Sequence, residues 1–382
     1  MMNAFETRPS PRLVCGPGKL ADLGDVVRSV GGTHVLLVTD PGIVAAGHVE
    51  RATEVLAQAG LDVTVYEGTH ENPTEADIEA CRAFAARVEV DCIVGLGGGS
   101  SMDTAKGCNF LLADGGRMAD FRGYGLVKNP MLPFIAVPTT AGTGSECQSY
   151  AVVSSDGSHE KMACGDPKAL AKVALLDPEL TESQPRKVAV LTGLDAMSHA
   201  LETAVCTKRN PLSRVYSKEA FRFIATSIEM VIQDAALMEH RTGMMLGAAF
   251  SGLAIENSML GAAHASANPL TARFDIVHGQ AVALMLPHVM RFNRHEAAAK
   301  TAYLELTAFL EEGLIDWVER MVGLADLPGL AECGVTVEVL DALAEDASGQ
   351  WTGKFNPRAM TKEDYVALYR EALGLGRPVS IS

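Results

Sequence analysis

Cys92-Ile-Val-Gly-Leu-Gly-Gly-Gly-Ser-Ser-Met-Asp103 is the stretch on which the fold turns. An apolar run enters it, three consecutive glycines interrupt it, and a helical pattern from about Ser101 to Leu112 leaves it. This is a buried strand turning into a helix. Glycine lets a backbone approach a phosphate closely, and the helix start adds free N–H groups and a positive dipole end. A tight turn alone needs only one glycine, so Gly97, Gly98, Gly99 and Ser100 read as a phosphate cradle. The pattern is not G-x-G-x-x-G, because Ser100 takes the last glycine position, and the loop follows a late strand rather than the first.

Working outward, the first half repeats the same alternation. His34–Thr39 is a strand ended by Asp40-Pro41-Gly42, a helical stretch spans about 44–59, and Leu61–Tyr66 is the next strand. Residues 74–88 predict a helix opened by Thr74 with Asp77 three residues later, a capping-box spacing. Pro133–Val137 and Lys172–Leu176 complete the strand runs. Strands alternating with helices imply a doubly wound, mostly parallel sheet with both faces covered. From about Pro185 the chain becomes rich in Ala, Leu, Met and Glu, and β-branched runs nearly vanish. We expect an α/β dinucleotide-binding domain over 1–182 and an all-helical domain over 183–382.

Two other strand ends carry polar groups. Asp40 sits where a carboxylate can accept from a ribose 2′-hydroxyl and repel the 2′-phosphate of NADP, which argues for NAD; an Asp-Pro-Gly turn explains it equally well. Pro138-Thr-Thr-Ala-Gly-Thr-Gly-Ser-Glu146 offers hydroxyls and glycines suited to a pyrophosphate or a nicotinamide amide.

The helical half carries a different chemistry. In Gly193-Leu-Asp-Ala-Met-Ser-His-Ala-Leu-Glu202, Asp195 and His199 lie four residues apart, on one helix face. His264 and His278 follow. On one unbroken helix those two would stand roughly 21 Å apart. Asn268-Pro269 predicts a break that returns His278, at the start of a new helix near Gly279. A lone histidine is more often structural than a ligand; the ordered set points to a divalent ion, Fe(II) or Zn(II), held by one carboxylate and three imidazoles.

The balance of 32 Lys and Arg against 47 Asp and Glu gives a net charge of −15, which repels phosphate backbones, so no nucleic-acid partner is expected. Eight cysteines without a C-x-x-C pair read as packed, reduced thiols of a cytoplasmic protein. The first sixteen residues lack a secretory apolar core, and no apolar run is long enough for a membrane span. His34, His48, His70, His159, His240, His288 and His295 read as structural or exposed.

Together the glycine loop, Pro138–Glu146, Asp177-Pro-Glu-Leu180, Gly193–Glu202, the two-histidine segment and Asn356-Pro-Arg358 resemble the iron-containing (group III) alcohol dehydrogenase family over almost the whole chain. The resemblance implies a dehydroquinate synthase-like two-domain fold and NAD-linked interconversion of a small alcohol and an aldehyde or ketone. In that reaction the alkoxide on the metal gives hydride to the nicotinamide. It assigns the metal to Asp195, His199, His264 and His278, Asp40 to the adenosine ribose, and Gly98, Gly99 and Ser100 to the pyrophosphate. Asn72, Asp103, Thr139, Thr140, Thr143 and Lys161 fall on further cofactor positions, and a homo-oligomer is implied. Metal-free maleylacetate-type reductases resemble the chain less, because Asp195 is retained. A dehydroquinate-synthase-like lyase would need substrate-binding lysines that the helical half does not display. The chain departs from the family's usual pattern at Asn268, where a histidine is common, at Thr271, usually glycine, and at Ile255, commonly aromatic. These suggest an altered substrate pocket.

Overall fold

The computed structural model describes residues 5–156 and 161–375; His159 lies outside them. Arg8–Pro185 form one compact unit, and the residues from Arg186 onward form the body of a second.

In chain order the first unit holds β1 (Arg12–Cys15), α1 (Leu23–Ser29), β2 (His34–Val38), α2 (Pro41–Ala45), α3 (His48–Gln58), β3 (Asp62–Tyr66), α4 (Glu75–Ala85), β4 (Cys92–Gly97) and α5 (Gly99–Asp114). There follow β5 (Gly123–Tyr124), β6 (Phe134–Pro138), β7 (Tyr150–Ser154), β8 (Lys161–Gly165) and β9 (Val173–Leu176). Six strands make one sheet in the order β1-β9-β6-β4-β2-β3, with every pairing parallel. β2, β4 and β6 are almost wholly buried, as their unbroken apolar runs require for strands covered on both faces. From β2 the chain winds outward to β3, then crosses back to β4 on the other side. The strand order therefore reverses between β2 and β4, and such a reversal opens a crevice at the carboxyl ends of the strands.

Three local readings change. The helical stretch near 44–59 is two helices, because Gly47 takes a left-handed φ of 77° between α2 and α3. Two of the cradle glycines belong to the helix itself, Gly98 as N-cap and Gly99 as its first residue. A small second sheet, β5-β8-β7, and the short edge strand β1 carry too few alternating residues to stand out in the sequence. Helix α4 opens as expected, with Thr74 and Asp77 forming both bonds of a capping box.

Every regular element among the second unit's described residues is helical, and its α-helices are α6 (Arg186–Val205), α7 (Pro211–Ala225), α8 (Ile228–Ile232), α9 (Met238–Glu256), α10 (Ala262–Phe274), α11 (His278–Asn293), α12 (Ala297–Thr307), α13 (Leu314–Leu324), α14 (Leu340–Gly349) and α15 (Lys362–Ala372). The expected break at Asn268-Pro269 is overturned: α10 runs through Pro269 and ends at Asp275, which adopts a left-handed φ of 55°. Proline removes one N–H but leaves the rest of the turn intact, and Asn268 stays helical within a buried helix. Among the described residues no helix is long and apolar enough to cross a membrane.

Candidate functional site

α6 presents Asp195, His199 and Glu202 at spacings of four and three residues, hence on one face. All three are buried. α10 brings His264 against them. Its ring stacks on that of His199 with centroids 4.8 Å apart and planes 18° from parallel. Ligand atoms of Asp195, His199 and His264 all lie within 4.8 Å of one another. His278 stands beside this trio rather than within it, its ring centred 5.4 Å from that of His264. The return is geometrically simple. α10 rises about 15 Å from His264 to Phe274, and the four links to His278 extend at most about 14 Å, enough to bring the chain back.

Close backbone packing fixes where α11 begins. A Cβ on Gly279 would lie 2.3 Å from the Leu191 carbonyl oxygen, one turn before Asp195, so only glycine lets α11 start against α6. A Cβ on Gly261 would fall 3.0 Å from Glu202 Oε1 and 3.2 Å from Asn356 Oδ1, a tight fit just ahead of α10.

The chemistry of the cluster follows from Glu202, which sequence reasoning left without a role. Its Oε1 accepts the Ala263 N–H at 2.7 Å, and its Oε2 accepts from His264 Nδ1 at 2.5 Å. A carboxylate only accepts, so the ring proton sits on Nδ1 and Nε2 is left with its lone pair. That Nε2 is buried without a hydrogen bond, as is Asp195 Oδ1, and the two stand 3.6 Å apart. Two sequestered acceptors facing each other are costly unless a cation comes between them. The electrostatics agree. Burial works against charge on Asp195, but His199, His264 and His278 outweigh it and hold the carboxyl well below its ordinary range. Burial likewise opposes charge on His264, yet Glu202 and Asp195 push the imidazole up to about 9, so the cation that satisfies the facing pair is either a second proton on Nε2 or a metal ion that displaces it. These side chains attract positive charge to one buried point and suit a divalent ion of borderline softness. The signal that could have found Glu202 was its place seven residues after Asp195, on the ligand face.

The three departures sit in the same unit. Asn268, one turn after His264, donates from Nδ2 to Gln350 Oε1 at 3.0 Å. Ile255 is buried, and Thr271 Oγ1 is buried without a hydrogen bond.

In the α/β unit, the proposed nucleotide residues gather at the ends of neighbouring strands. Asp40 follows β2 and caps α2, its Oδ1 accepting the N–H groups of Gly42 and Ile43, as in a turn. Its Oδ2 accepts from Ser101 Oγ at 3.0 Å. Gly97 ends β4 with φ 149°, where a Cβ would lie 2.3 Å from Ser101 Oγ and 3.2 Å from Asp40 Oδ2. Gly98, Gly99 and Ser100 form the start of α5. Asn72, at a left-handed φ of 51°, donates its N–H to Ser100 Oγ at 3.2 Å. Thr139 follows β6, donates its N–H to Gly97 O, and leaves its own buried Oγ1 without a hydrogen bond. Thr140 and Thr143 lie against Gly98 and Gly99. Asp103 accepts from Ser145 Oγ at 3.0 Å, and burial pushes its carboxyl up to about 6 against the pull of Lys106 and Lys161. Lys161 opens β8, in the small second sheet.

The chain matches two family descriptions in succession: "Iron-containing alcohol dehydrogenase" over residues 10–178, and "Fe-containing alcohol dehydrogenase family, C-terminal" over residues 189–373. It is 31% identical over 374 residues to the NAD-dependent methanol dehydrogenase of Bacillus methanolicus, covering 95% of this chain and 98% of that protein. It is 30% identical over 370 residues to the 1,3-propanediol dehydrogenase of Klebsiella pneumoniae, covering 94% and 96%. Among solved structures, a 1,3-propanediol oxidoreductase superposes with a TM-score of 0.92 at 28% identity, over 97% of this chain and all of that one. An alcohol dehydrogenase from Oenococcus oeni does so with 0.91 at 29%, over the same shares. The buried carboxylate–imidazole cluster, the parallel sheet with its glycine cradle and these matches agree: the chain belongs to the iron-containing alcohol dehydrogenase family.

Proposed function

We propose that this protein is a metal-dependent, NAD-linked dehydrogenase that interconverts a small alcohol with its aldehyde or ketone. The observation that carries the reading is the facing pair of buried acceptors, Asp195 Oδ1 and His264 Nε2, with Glu202 holding the proton on the far side of the ring. Asp195, His199, His264 and His278 would hold Fe(II) or Zn(II). The Asp40, Asn72, Gly97–Ser100, Asp103, Thr139, Thr140, Thr143 and Lys161 set would receive NAD. When bound, the ion supplies Lewis acidity to an alcohol or carbonyl oxygen, and the nicotinamide accepts or returns the hydride.

The chain's own residues prepare that chemistry. Asp195 stays ionised and offsets the positive charge it attracts. Glu202 fixes the tautomer and the plane of His264, so that Nε2 points at one place. The cradle presents the α5 N–H groups to a pyrophosphate, and the Asp40 carboxylate disfavours a 2′-phosphate. No protein nucleophile is needed. At position 268 an amide bonded to Gln350 does not titrate, so it contributes hydrogen bonding rather than proton transfer. The names of the relatives direct the substrate search to short primary alcohols and diols, and we expect a cytoplasmic homo-oligomer.

The test is chelator stripping, anaerobic reloading with Fe(II) or Zn(II), and NADH formation with that panel. Activity restored by either ion supports the reading. Full activity in the stripped protein, or none after reloading although NAD binds, overturns it.

A further inference from the structure

The nucleotide cradle has a buried charge beneath it to which the chemistry above gives no part. Lys106, on α5, is 1% exposed. Its ammonium donates to Ser145 O at 2.6 Å, to Ser145 Oγ at 2.8 Å and to Tyr150 O at 2.9 Å. The serine hydroxyl accepts from Lys106 and donates to Asp103 Oδ1, so donors and acceptors are matched along the chain of contacts.

These contacts continue a line. Gly99, Asp103 and Lys106 recur on α5 at four and three residues, one face of the helix. The segment after β6 lies along that face. A Cβ on Gly98 would sit 3.5 Å from Thr140, one on Gly99 would sit 2.8 Å from Thr143, and the next two positions hold Ser145. Thr139 begins the segment by bonding Gly97. The two cradle loops are thus one surface, tied at one end by the sheet and at the other by Lys106.

A buried ammonium is costly, and an apolar side chain of similar volume would fill the space without that cost. What the ammonium adds is the ability to tie Ser145, in a segment whose only regular element is the short turn Ser145–Cys147, to the Tyr150 carbonyl at the start of β7. We propose that Lys106 is a positioning residue of the nucleotide site: it fixes Thr139–Glu146 in the form that receives the dinucleotide, without touching it. This rests on the nucleotide reading above.

The experiment is isothermal calorimetry of NAD against metal-loaded wild type and the variants Lys106→Met, Lys106→Arg and Ser145→Ala, with bound metal and melting temperature measured alongside. Lys106→Met is expected to raise Kd for NAD at least tenfold and KM for NAD in parallel. It should change kcat at saturating NAD less than threefold and leave metal content unchanged. Lys106→Arg, which keeps the charge, is expected to recover part of the affinity. A folded Lys106→Met that binds NAD within twofold of wild type overturns the proposal. Should Lys106→Met fail to fold, Ser145→Ala decides: a Kd raised threefold or more supports the role, and an unchanged Kd overturns it. Wild type that binds no NAD would instead remove the nucleotide reading itself, a result distinct from either outcome for the variants.

Discussion

Glu202 Oε2 and His264 Nδ1 meet at 2.5 Å, joining a carboxylate on one helix to an imidazole on another that stands 62 residues further along the chain. The bond places the ring proton away from the centre of the cluster and turns a histidine that could face several ways into a ligand that faces one.

Glu202→Gln is therefore expected to loosen metal binding about 10- to 100-fold while the fold persists. An amide can present its N–H to the ring as readily as its oxygen, and the fixed tautomer is lost. Metal retained after dialysis against chelators of graded strength checks this. Retention equal to wild type would show that His264 is oriented by packing alone.

Asp195→Asn and His264→Ala should each lower alcohol turnover by about a thousandfold or more, the scale of lost Lewis-acid assistance. NAD affinity should be untouched, because its proposed ligands belong to the other compact unit. Calorimetry with NAD, beside steady-state rates and metal analysis, separates the two effects. Weakened NAD binding in either variant would count against the division of labour.

Gly279→Ala places a methyl 2.3 Å from the Leu191 carbonyl oxygen, and backbone has nowhere to yield without moving the start of α11. A destabilisation of about 1–3 kcal/mol is expected, read as a lower denaturant midpoint. His278 moves with α11, so metal affinity should fall as well. Loss of stability with metal affinity intact would mean that His278 contributes little to the ion.

Glu146, 2% exposed, has its carboxyl pushed up to about 7 by burial, against the opposing pull of its own backbone N–H and Lys106. A folded-state value above the unfolded one means that the native state holds the proton longer. The associated stability is complete below pH 4.5 and is lost as pH rises toward and through 7, at no more than about 1.4 kcal/mol per pH unit. Glu146→Gln should flatten this fall, so that its melting temperature between pH 5 and 8 changes less than that of wild type. Parallel curves for the two proteins would refute the assignment.

The sequence made the strand–helix alternation and the Thr74 cap legible because both depend on neighbours within one turn or one strand. The same holds for Asp195 and His199, which share a helix face. Pro269 misled, since a rule about the residue before proline describes an average backbone, and a buried helix such as α10 overrides it. The real turn at Asp275 rests on a left-handed φ that no pattern announced. The roles of Glu202, beyond its place on the ligand face, and of Lys106 were hidden for a related reason. Their partners, His264 and Ser145, are 62 and 39 residues away, and only folded chain brings them together.

Asp40 holds two employments at once. One oxygen ends α2's free N–H groups, while the other faces Ser101 beside Gly97. On the proposed reading, redirecting the enzyme toward a phosphorylated dinucleotide means removing that negative charge. Deleting the side chain would also uncap a helix, at about 1 kcal/mol. Only another capping residue, such as asparagine, serine or threonine, keeps the cap while discarding the charge, so cofactor preference and local stability at this strand end are inherited together, and the accessible evolutionary path between the two cofactors is narrow.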